Sequence, residues 1–325
     1  MEKVVCNLCG GDRSRFVYRQ PDALFFPDRW FDVVECLQCG LGFVNPRPTI
    51  SEMAEYYPAA FFSSFNDPAH AQRYAAEARF LPVAGVTGVP RLLDVGCANG
   101  DFPRFMKARG WDVEGVELSP NAAAIADFPV YRSEFSAAPI DGPRYDAVTA
   151  WGVLEHVHDP MAYFRKAAQV LRPGGRFVFL VPNFDSLSSR ALFREDVPRH
   201  LYFFTAETLR RYSETAGLRL RELAQSREVY EMIPSNVTYH LFSCWLRGRA
   251  LRWEDLPEAR NAYLRRLGLA DASAKAVSPL HNLRYALTHP LAAVDRVVSK
   301  LFERWQLARG TYGMMIGVAE RPAAR

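Results

Sequence analysis

Four of the six cysteines fall in two short pairs, Cys6-Asn7-Leu8-Cys9-Gly10 and Cys36-Leu37-Gln38-Cys39-Gly40. Two intervening residues let both thiolates of a tight turn face one ion. The glycine behind each pair relieves the backbone where its amides turn toward sulfur. Two such turns supply four thiolates, a closed tetrahedral shell suited to structural Zn2+. An iron site of rubredoxin type and four unrelated thiols are the alternatives. Cys97 and Cys244 lie outside the pattern and read as ordinary buried thiols.

A second group of residues points to a nucleoside. Arg91-Leu92-Leu93-Asp94-Val95 reads as a short apolar strand, followed by the small-residue turn Gly96-Cys97-Ala98-Asn99-Gly100. Gly96 and Gly100 let the backbone approach a ligand closely. Glu117 ends the next strand, where a carboxylate can accept two ribose hydroxyls. A dinucleotide fingerprint, counted from Gly96, needs glycine at the positions held by Ala98 and Asp101. Asp101 at the helix N-terminus would also oppose a pyrophosphate there. S-adenosyl-L-methionine carries no phosphate, and its sulfonium and amino group favour acids such as Asp94.

These residues need strands that end together. After residue 85 the pattern alternates. Asp101 to Arg109 reads as a helix, Trp111 to Glu117 as a strand, Ser119 to Ala126 as a helix and Val130 to Arg132 as a strand. Tyr145 to Trp151 is a strand, Met161 to Leu171 a helix, and Arg176 to Val181 an apolar strand. Thr205 to Ala216 is a capped helix, Leu218 to Ser226 a strand and Tyr312 to Ala319 a late strand. Continuous apolar runs mark strands buried on both faces, hence a parallel sheet between helices. In such a sheet ligands bind outside the carboxyl ends of the strands.

Four stretches follow. Residues 1–50 form a zinc-binding module with short strands at Phe16-Val17-Tyr18 and Trp30 to Glu35. Its small core makes zinc the expected source of its stability. Residues 51–84 are a helical linker whose Tyr56, Tyr57, Phe61 and Phe62 read as core rather than as a substrate lid. Residues 85–230 plus 310–325 are the cofactor-binding core, and 231–309 a helical insertion. In the last of these, Leu291, Val294, Val298, Leu301 and Trp305 follow helical spacing and read as core-facing. A homodimer surface or a peripheral membrane contact through 290–309 are the alternatives.

Composition sets the limits. The 325 residues suggest about two domains, and 49% apolar with 23% charged residues excludes a disordered or collagen-like chain. No apolar run is long enough to span a membrane, and residues 1–6 lack a signal-peptide core, so a cytoplasmic protein is expected. A net charge of +4 does not by itself announce a nucleic-acid binder.

Taken together, Leu93 to Gly100, Val116-Glu117, Tyr145-Asp146-Ala147-Val148, Leu154-Glu155-His156-Val157 and Leu171-Arg172-Pro173-Gly174-Gly175 resemble the class I S-adenosylmethionine-dependent methyltransferases. Cys39 to Pro48 and Pro198-Arg199-His200-Leu201-Tyr202-Phe203-Phe204-Thr205 resemble the bacterial subgroup with an N-terminal zinc-binding module. The resemblance implies an α/β, Rossmann-like seven-stranded sheet with its last strand antiparallel. A zinc-ribbon-like module would precede it, and a helical insertion would come before the last strand. It also implies that Gly96 and Gly100 line the methionine part of the cofactor and that Glu117 holds the ribose, with Asp94, Cys97 and Leu118 also against the cofactor. Glu134 or Phe135 would lie near adenine, and Trp151 would border the transfer pocket. Ala98 departs from the glycine many relatives carry.

Enzymes of this subgroup often resemble tailoring enzymes for surface glycans or secondary metabolites, so O-methylation of a small-molecule or glycan acceptor is expected. A hydroxyl acceptor needs a base, for which His200, His156 and His158 are the candidates. Some quinone O-methyltransferases of similar sequence bind a divalent cation through a Glu-His pair like Glu155-His156 and an acid three residues earlier. Gly152 stands there, so a catalytic metal is not expected. Ala150-Trp151-Gly152-Val153 also lacks the motif of enzymes that methylate exocyclic base nitrogens, so nucleic acid is not the expected partner. An RNA methyltransferase gripping its substrate with the zinc module, and a non-enzymatic zinc scaffold, are the competing readings.

Overall fold

The computed structural model describes residues 1–58, 70–81, 88–119, 127–191, 195–230, 237–250, 252 and 291–323. Phe61, Phe62, the expected helix beyond Ser119 and most of the expected insertion at 231–309 lie outside the described residues.

The N-terminal part is a small sheet. β1 (Ser14–Pro21) and β2 (Trp30–Cys36) form an antiparallel pair, and β3 (Gly42–Val44) adds antiparallel to β2. Beyond the sheet, Thr49 caps the short helix α1 (Ile50–Met53) with a reciprocal bond from Glu52, a capping box. α2 (His70–Ala78) leads into the main sheet.

The apolar runs become strands where the sequence reading places them. β4 (Arg91–Val95) is followed by helix α3 (Asp101–Lys107), β5 (Asp112–Val116), β6 (Val130–Tyr131) and β7 (Tyr145–Trp151). α4 (Pro160–Val170) starts on an Asp159 cap with Pro160 at its first position, and buries Met161, Tyr163, Phe164, Ala167 and Val170. β8 (Leu171–Pro182), the one-turn α5 (Leu187–Arg190), β9 (Tyr202–Phe203), α6 (Ala206–Thr215) and β10 (Arg219–Ala224) follow. α7 (Val237–Arg247), α8 (Leu291–Arg309) and β11 (Met314–Glu320) complete the described elements.

The seven-stranded sheet has the order β10-β11-β8-β7-β4-β5-β6. The strands from β4 to β8 pair in parallel, and β11 is antiparallel to both β8 and β10. This is the expected Rossmann-like methyltransferase sheet. Its register sets Asp94 beside Thr149 on one side and Gly115 on the other, so β4, β5 and β7 end together.

β9, a strand the sequence reading missed, lies within the motif Pro198 to Thr205 and pairs antiparallel with β3. The N-terminal sheet is therefore four-stranded, with its last strand supplied from beyond β8. Phe31, Val33, Leu41, Phe43 and Val44 share one apolar cluster with Phe164, Phe177 and Phe204. The expectation that residues 1–50 have little core beyond a metal is thus corrected: they bury their apolar side chains against the main sheet. Burial of this kind contributes roughly 1.5–3 kcal/mol per large apolar side chain.

α8 also departs from expectation. Val294, Leu301 and Trp305, read as core-facing, are about half exposed, whereas Ser299, Glu303 and Gln306 are buried. The buried polar face is partly satisfied, with Glu303 Oε1 and Gln306 Oε1 lacking a hydrogen bond among the described residues. Gln306 donates to the Thr311 carbonyl at 2.9 Å, and Glu303 meets Arg227 at 3.4 Å. Among the described residues no helix is long and apolar enough to cross a membrane.

Candidate cofactor cradle and acceptor site

β4 is buried through Val95, and the chain then turns at Gly96 (φ +71°) and at Gly100 (φ +78°), which opens α3. The Gly96 and Cys97 amides both donate to the Val116 carbonyl, at 2.8 and 3.1 Å, pinning the turn to the end of β5. A Cβ at Gly96 would lie 2.6 Å from a Val153 methyl. Between the glycines, Ala98 has φ +46°, the one non-glycine residue with positive φ among the described residues. That conformation costs an L-residue roughly 1–2 kcal/mol, a cost glycine would not carry. The Cys97 side chain points inward, since a Cβ on Gly115 would sit 2.7 Å from its sulfur. Cys97 therefore offers the cradle its backbone, and burial, then the charges of Asp94 and Glu117, push its thiol up.

Asp94 is buried and accepts the Thr149 hydroxyl at 2.5 Å. Burial, then the charges of Glu77 and Glu117, push its carboxyl up to about 8 against the pull of the Thr149 bond. Glu117 takes the Ala98 amide on one oxygen (2.9 Å) and the Ser119 amide on the other (2.7 Å). Each oxygen keeps a lone pair for a ribose hydroxyl. Leu118 beside it is 60% exposed, an apolar face open to a base. Glu134 is half-buried, whereas Phe135 is wholly buried, edge-on to Tyr163. Only the Phe135 backbone is left to face a ligand. Trp151 packs edge-on against Phe102, and its indole N–H is buried without a partner among the described residues. The exposed Leu118 next to a fixed carboxylate, and this orphaned donor, fit an adenosyl group carrying a polar tail.

The loop after β7 leads from the cradle to the histidines. Val153 packs on Gly96, and the Glu155 carbonyl accepts the Leu201 and Tyr202 amides at 2.7 and 3.2 Å. This clamp brings His156 and His200 together, their rings 4.7 Å apart and edge-on. His156 Nδ1 donates to the Arg199 carbonyl at 3.0 Å and also meets the Tyr57 hydroxyl at 3.0 Å. Burial, then the charge of His200, lowers it to about 3, so it is neutral with its lone pair on Nε2. His200 Nδ1 donates to Glu195 at 2.7 Å. Burial pulls His200 down, but the bond and charge of Glu195, with Glu155 and Asp196, outweigh it and raise its pKa. Burial pushes Glu155 up to about 7, and its Oε2 has no hydrogen-bond partner.

His158, the third candidate, stands elsewhere. Its Nε2 donates to the Pro48 carbonyl at 3.1 Å, and its own carbonyl accepts from Arg47 and Tyr202. It braces the N-terminal sheet against the core. Sequence reasoning missed Glu195 and Tyr57. The acidic pair Glu195-Asp196 just before Pro198-Arg199-His200 was the available signal for the first. Nothing in the local sequence signals the second. Glu155, His156 and His200 also place three donor atoms within 4.8 Å of one another, so His200 stands where a third donor could replace the acid that Gly152 lacks.

The four cysteines converge. Cys6 and Cys39 sulfurs lie 3.4 Å apart, and Cys9 and Cys36 sulfurs 3.6 Å apart. Tetrahedral thiolates at the Zn–S length of about 2.3 Å stand about 3.8 Å apart, so the cluster is compatible with zinc. The two knuckles repeat one backbone pattern. Gly10 donates to the Cys6 carbonyl, Gly40 donates to the Cys36 carbonyl, and each glycine has φ above +70°. The Cys6–Cys39 hydrogen bond pulls Cys39 down and pushes Cys6 up, so the two sulfurs share a proton that a metal would displace.

Comparison with known proteins follows the same lines. A family model described as a methyltransferase domain matches residues 69–223. The ubiquinone biosynthesis O-methyltransferase of Aromatoleum aromaticum is 33% identical over 162 residues, covering 43% of this chain and 68% of that protein. The protein of the same name from Alkalilimnicola ehrlichii is 35% identical over 103 residues, covering 29% of this chain and 42% of its own. The chain thus spans two thirds of the first relative's length and less than half of the second's. Among solved structures, the [4+2]-cyclase SpnF superposes with a TM-score of 0.52 at 17% identity, over 86% of this chain and 99% of that one. A chain from a complex of the Haloferax volcanii Trm112 methyltransferase activator with a methyltransferase gives 0.50, also at 17%, over 85% and 98%. Both show the fold alone. A cyclase among them illustrates that this fold does not by itself fix the reaction.

Proposed function

The chain belongs to the class I S-adenosylmethionine-dependent methyltransferases, and from that premise we propose that it methylates a hydroxyl of a small-molecule or glycan acceptor. S-adenosyl-L-methionine would supply an activated methyl group, held by Asp94, the backbone from Gly96 to Gly100, and the Glu117 carboxylate. Leu118 and the segment at Glu134 and Phe135 would border the adenine.

The observation that carries the hydroxyl reading is the Glu195–His200 pair. Glu195 is 6% exposed, and its other oxygen takes the Ser189 hydroxyl. With Nδ1 committed to this carboxylate, His200 presents Nε2 to accept the acceptor's proton, and Glu195 stabilises the imidazolium as it forms. His156, neutral and fixed by Arg199, presents a second Nε2 that can orient the hydroxyl. Positioning of this kind is worth roughly 7–11 kcal/mol of barrier. O-methyltransferases among the relatives support the same reading.

Nucleic acid is disfavoured by pairing. Of Arg13, Arg15, Arg19, Arg29 and Arg47, the arginines of the N-terminal module, the last four are held by Glu35, Asp32, Glu55 and Glu2. Zn2+ on Cys6, Cys9, Cys36 and Cys39 fits a structural role, since all four thiols serve one closed shell. The free thiols fit a reducing compartment such as the cytoplasm.

A second reading places a divalent cation on Glu155, His156 and His200, favoured by the unpartnered Glu155 Oε2. Turnover lost on chelation and restored by Mg2+ or Mn2+ would favour it over the base. Calorimetric titration with S-adenosylmethionine and its demethylated product tests the main proposal. Binding of both is expected, and binding of neither would overturn it.

A further inference from the structure

Helix α8 carries its polarity the wrong way round for a helix that meets water. A surface helix normally buries an apolar stripe and turns a polar one outward. In α8 the buried stripe is Ser299, Glu303 and Gln306. Val294, Val297, Leu301 and Trp305 recur at three- and four-residue spacing on the opposite side, each about half exposed or more.

α7 repeats the arrangement. It packs on α8, its Thr238 amide donating to Asp295 Oδ1 at 2.8 Å, and it buries Val237, His240 and Ser243. Leu241, Phe242, Trp245 and Leu246 face outward. Trp245 is 75% exposed, with the Phe242 ring stacked on it at 6.0 Å. Large apolar side chains grouped this way on two packed helices mark an interaction surface, unlike single ones scattered over a protein.

Charge says what the surface meets. Among the described residues, the exposed charged side chains of the two helices are Arg247, Lys300, Arg304 and Arg309, all cations. The acids are turned away. Glu303 is buried, and Asp295 is half-buried against Thr238 and Ser299. A second copy of the chain docked on this face would bring the same cations to both sides of the contact, with no exposed acid of these helices to answer them. The boundary of an anionic bilayer suits it better. There acyl chains take the apolar groups, indole rings settle at the headgroup level, and lipid phosphates take the cations.

We infer that α7 and α8 form a docking surface for an anionic phospholipid membrane, lying on the bilayer rather than crossing it. α8 ends beside Gly310, whose carbonyl accepts Asn183, the residue after β8, at 3.2 Å. The surface therefore adjoins the carboxyl edge of the sheet, the edge on which the candidate acceptor site stands.

Flotation of the full chain with lipid vesicles tests this. Vesicles of phosphatidylglycerol mixed with phosphatidylcholine should carry the protein, and vesicles of phosphatidylcholine alone should not. Added salt should weaken the binding. Lys300→Glu combined with Arg304→Glu should lower vesicle affinity about tenfold, and Trp245→Ser combined with Leu301→Ser should lower it as far. All four side chains are exposed, so both variants should keep the melting temperature of the unaltered protein. Failure to bind the anionic vesicles, equal binding to both kinds, or undiminished binding by both variants overturns the inference. A dimer in sedimentation that Trp245→Ser dissolves, without vesicle binding, also overturns it and assigns the face to a second copy.

Discussion

Arg199 and Asp22 form an ion pair at 2.8 Å in which both side chains are fully buried, joining the residue after β1 to the residue before His200. Asp196 completes the guanidinium's shell at 2.6 Å, and the Tyr56 carbonyl accepts at 3.1 Å. From the same strand, Gln20 donates to the Glu195 carbonyl at 2.8 Å. The N-terminal sheet thus grips the His200 loop at Glu195 and at Arg199, the two ends of the segment that carries the proposed base.

Asp22→Asn tests this grip. Breaking a buried pair outright costs roughly 3–5 kcal/mol, but Asp196 remains, so a loss of about 2–3 kcal/mol is expected. Thermal unfolding should show a melting temperature lower by several degrees. Turnover should fall more than cofactor affinity, because the displaced residue is His200 and not the cradle. Equal losses in both would place the grip elsewhere.

His200→Asn and Glu195→Gln address the base. The first should lower kcat about 10²–10³-fold, within the range of general-base catalysis. The second should lower it less, since the imidazole remains and loses only its orienting carboxylate. Calorimetry should find cofactor affinity unchanged in both. Full activity in His200→Asn would remove the residue from the mechanism.

Cys36→Ser addresses the metal. Metal analysis should find one zinc per chain in the unaltered protein and less than a tenth of that in the variant. Hydrogen exchange should rise in β1 to β3 while β4, β7 and β8 keep their protection. The continuous apolar core predicts loosening rather than unfolding of the N-terminal sheet.

Much of this was legible in the sequence because it is local. Strands β4, β5, β7 and β8 are short continuous apolar runs, and the turn from Gly96 to Gly100 announces its backbone. The CxxC pairs announce their knuckles for the same reason. Long-range assembly was not legible. β9 is two residues long, and its pairing with β3 depends on a partner far away in the chain. Glu195 and Tyr57 reach the histidines only through the folded loops, and α8 buries polar residues that a periodicity argument assigns to solvent. His200 is legible as a candidate base from the sequence, whereas the Glu195 carboxylate that orients it meets it only through the fold.

The cradle predicts a pH dependence with a definite sign. Burial pushes Asp94 up to about 8 in the free protein, so below that pH it holds a proton. A cofactor cation at the site favours the carboxylate, and binding then releases a proton. Affinity for S-adenosylmethionine should therefore rise as pH increases from 6 and level off above about 8. Calorimetry in buffers of different ionisation enthalpy should detect the released proton near pH 7. A flat profile would place the cationic end of the cofactor away from Asp94.

A crystal structure with S-adenosylhomocysteine tests the central claim most directly. The account predicts the ribose hydroxyls on Glu117, the sulfur over the turn from Gly96 to Gly100, and an open path from it to His200 Nε2. A crevice closed by side chains, or an adenosyl group bound away from Glu117, would contradict it.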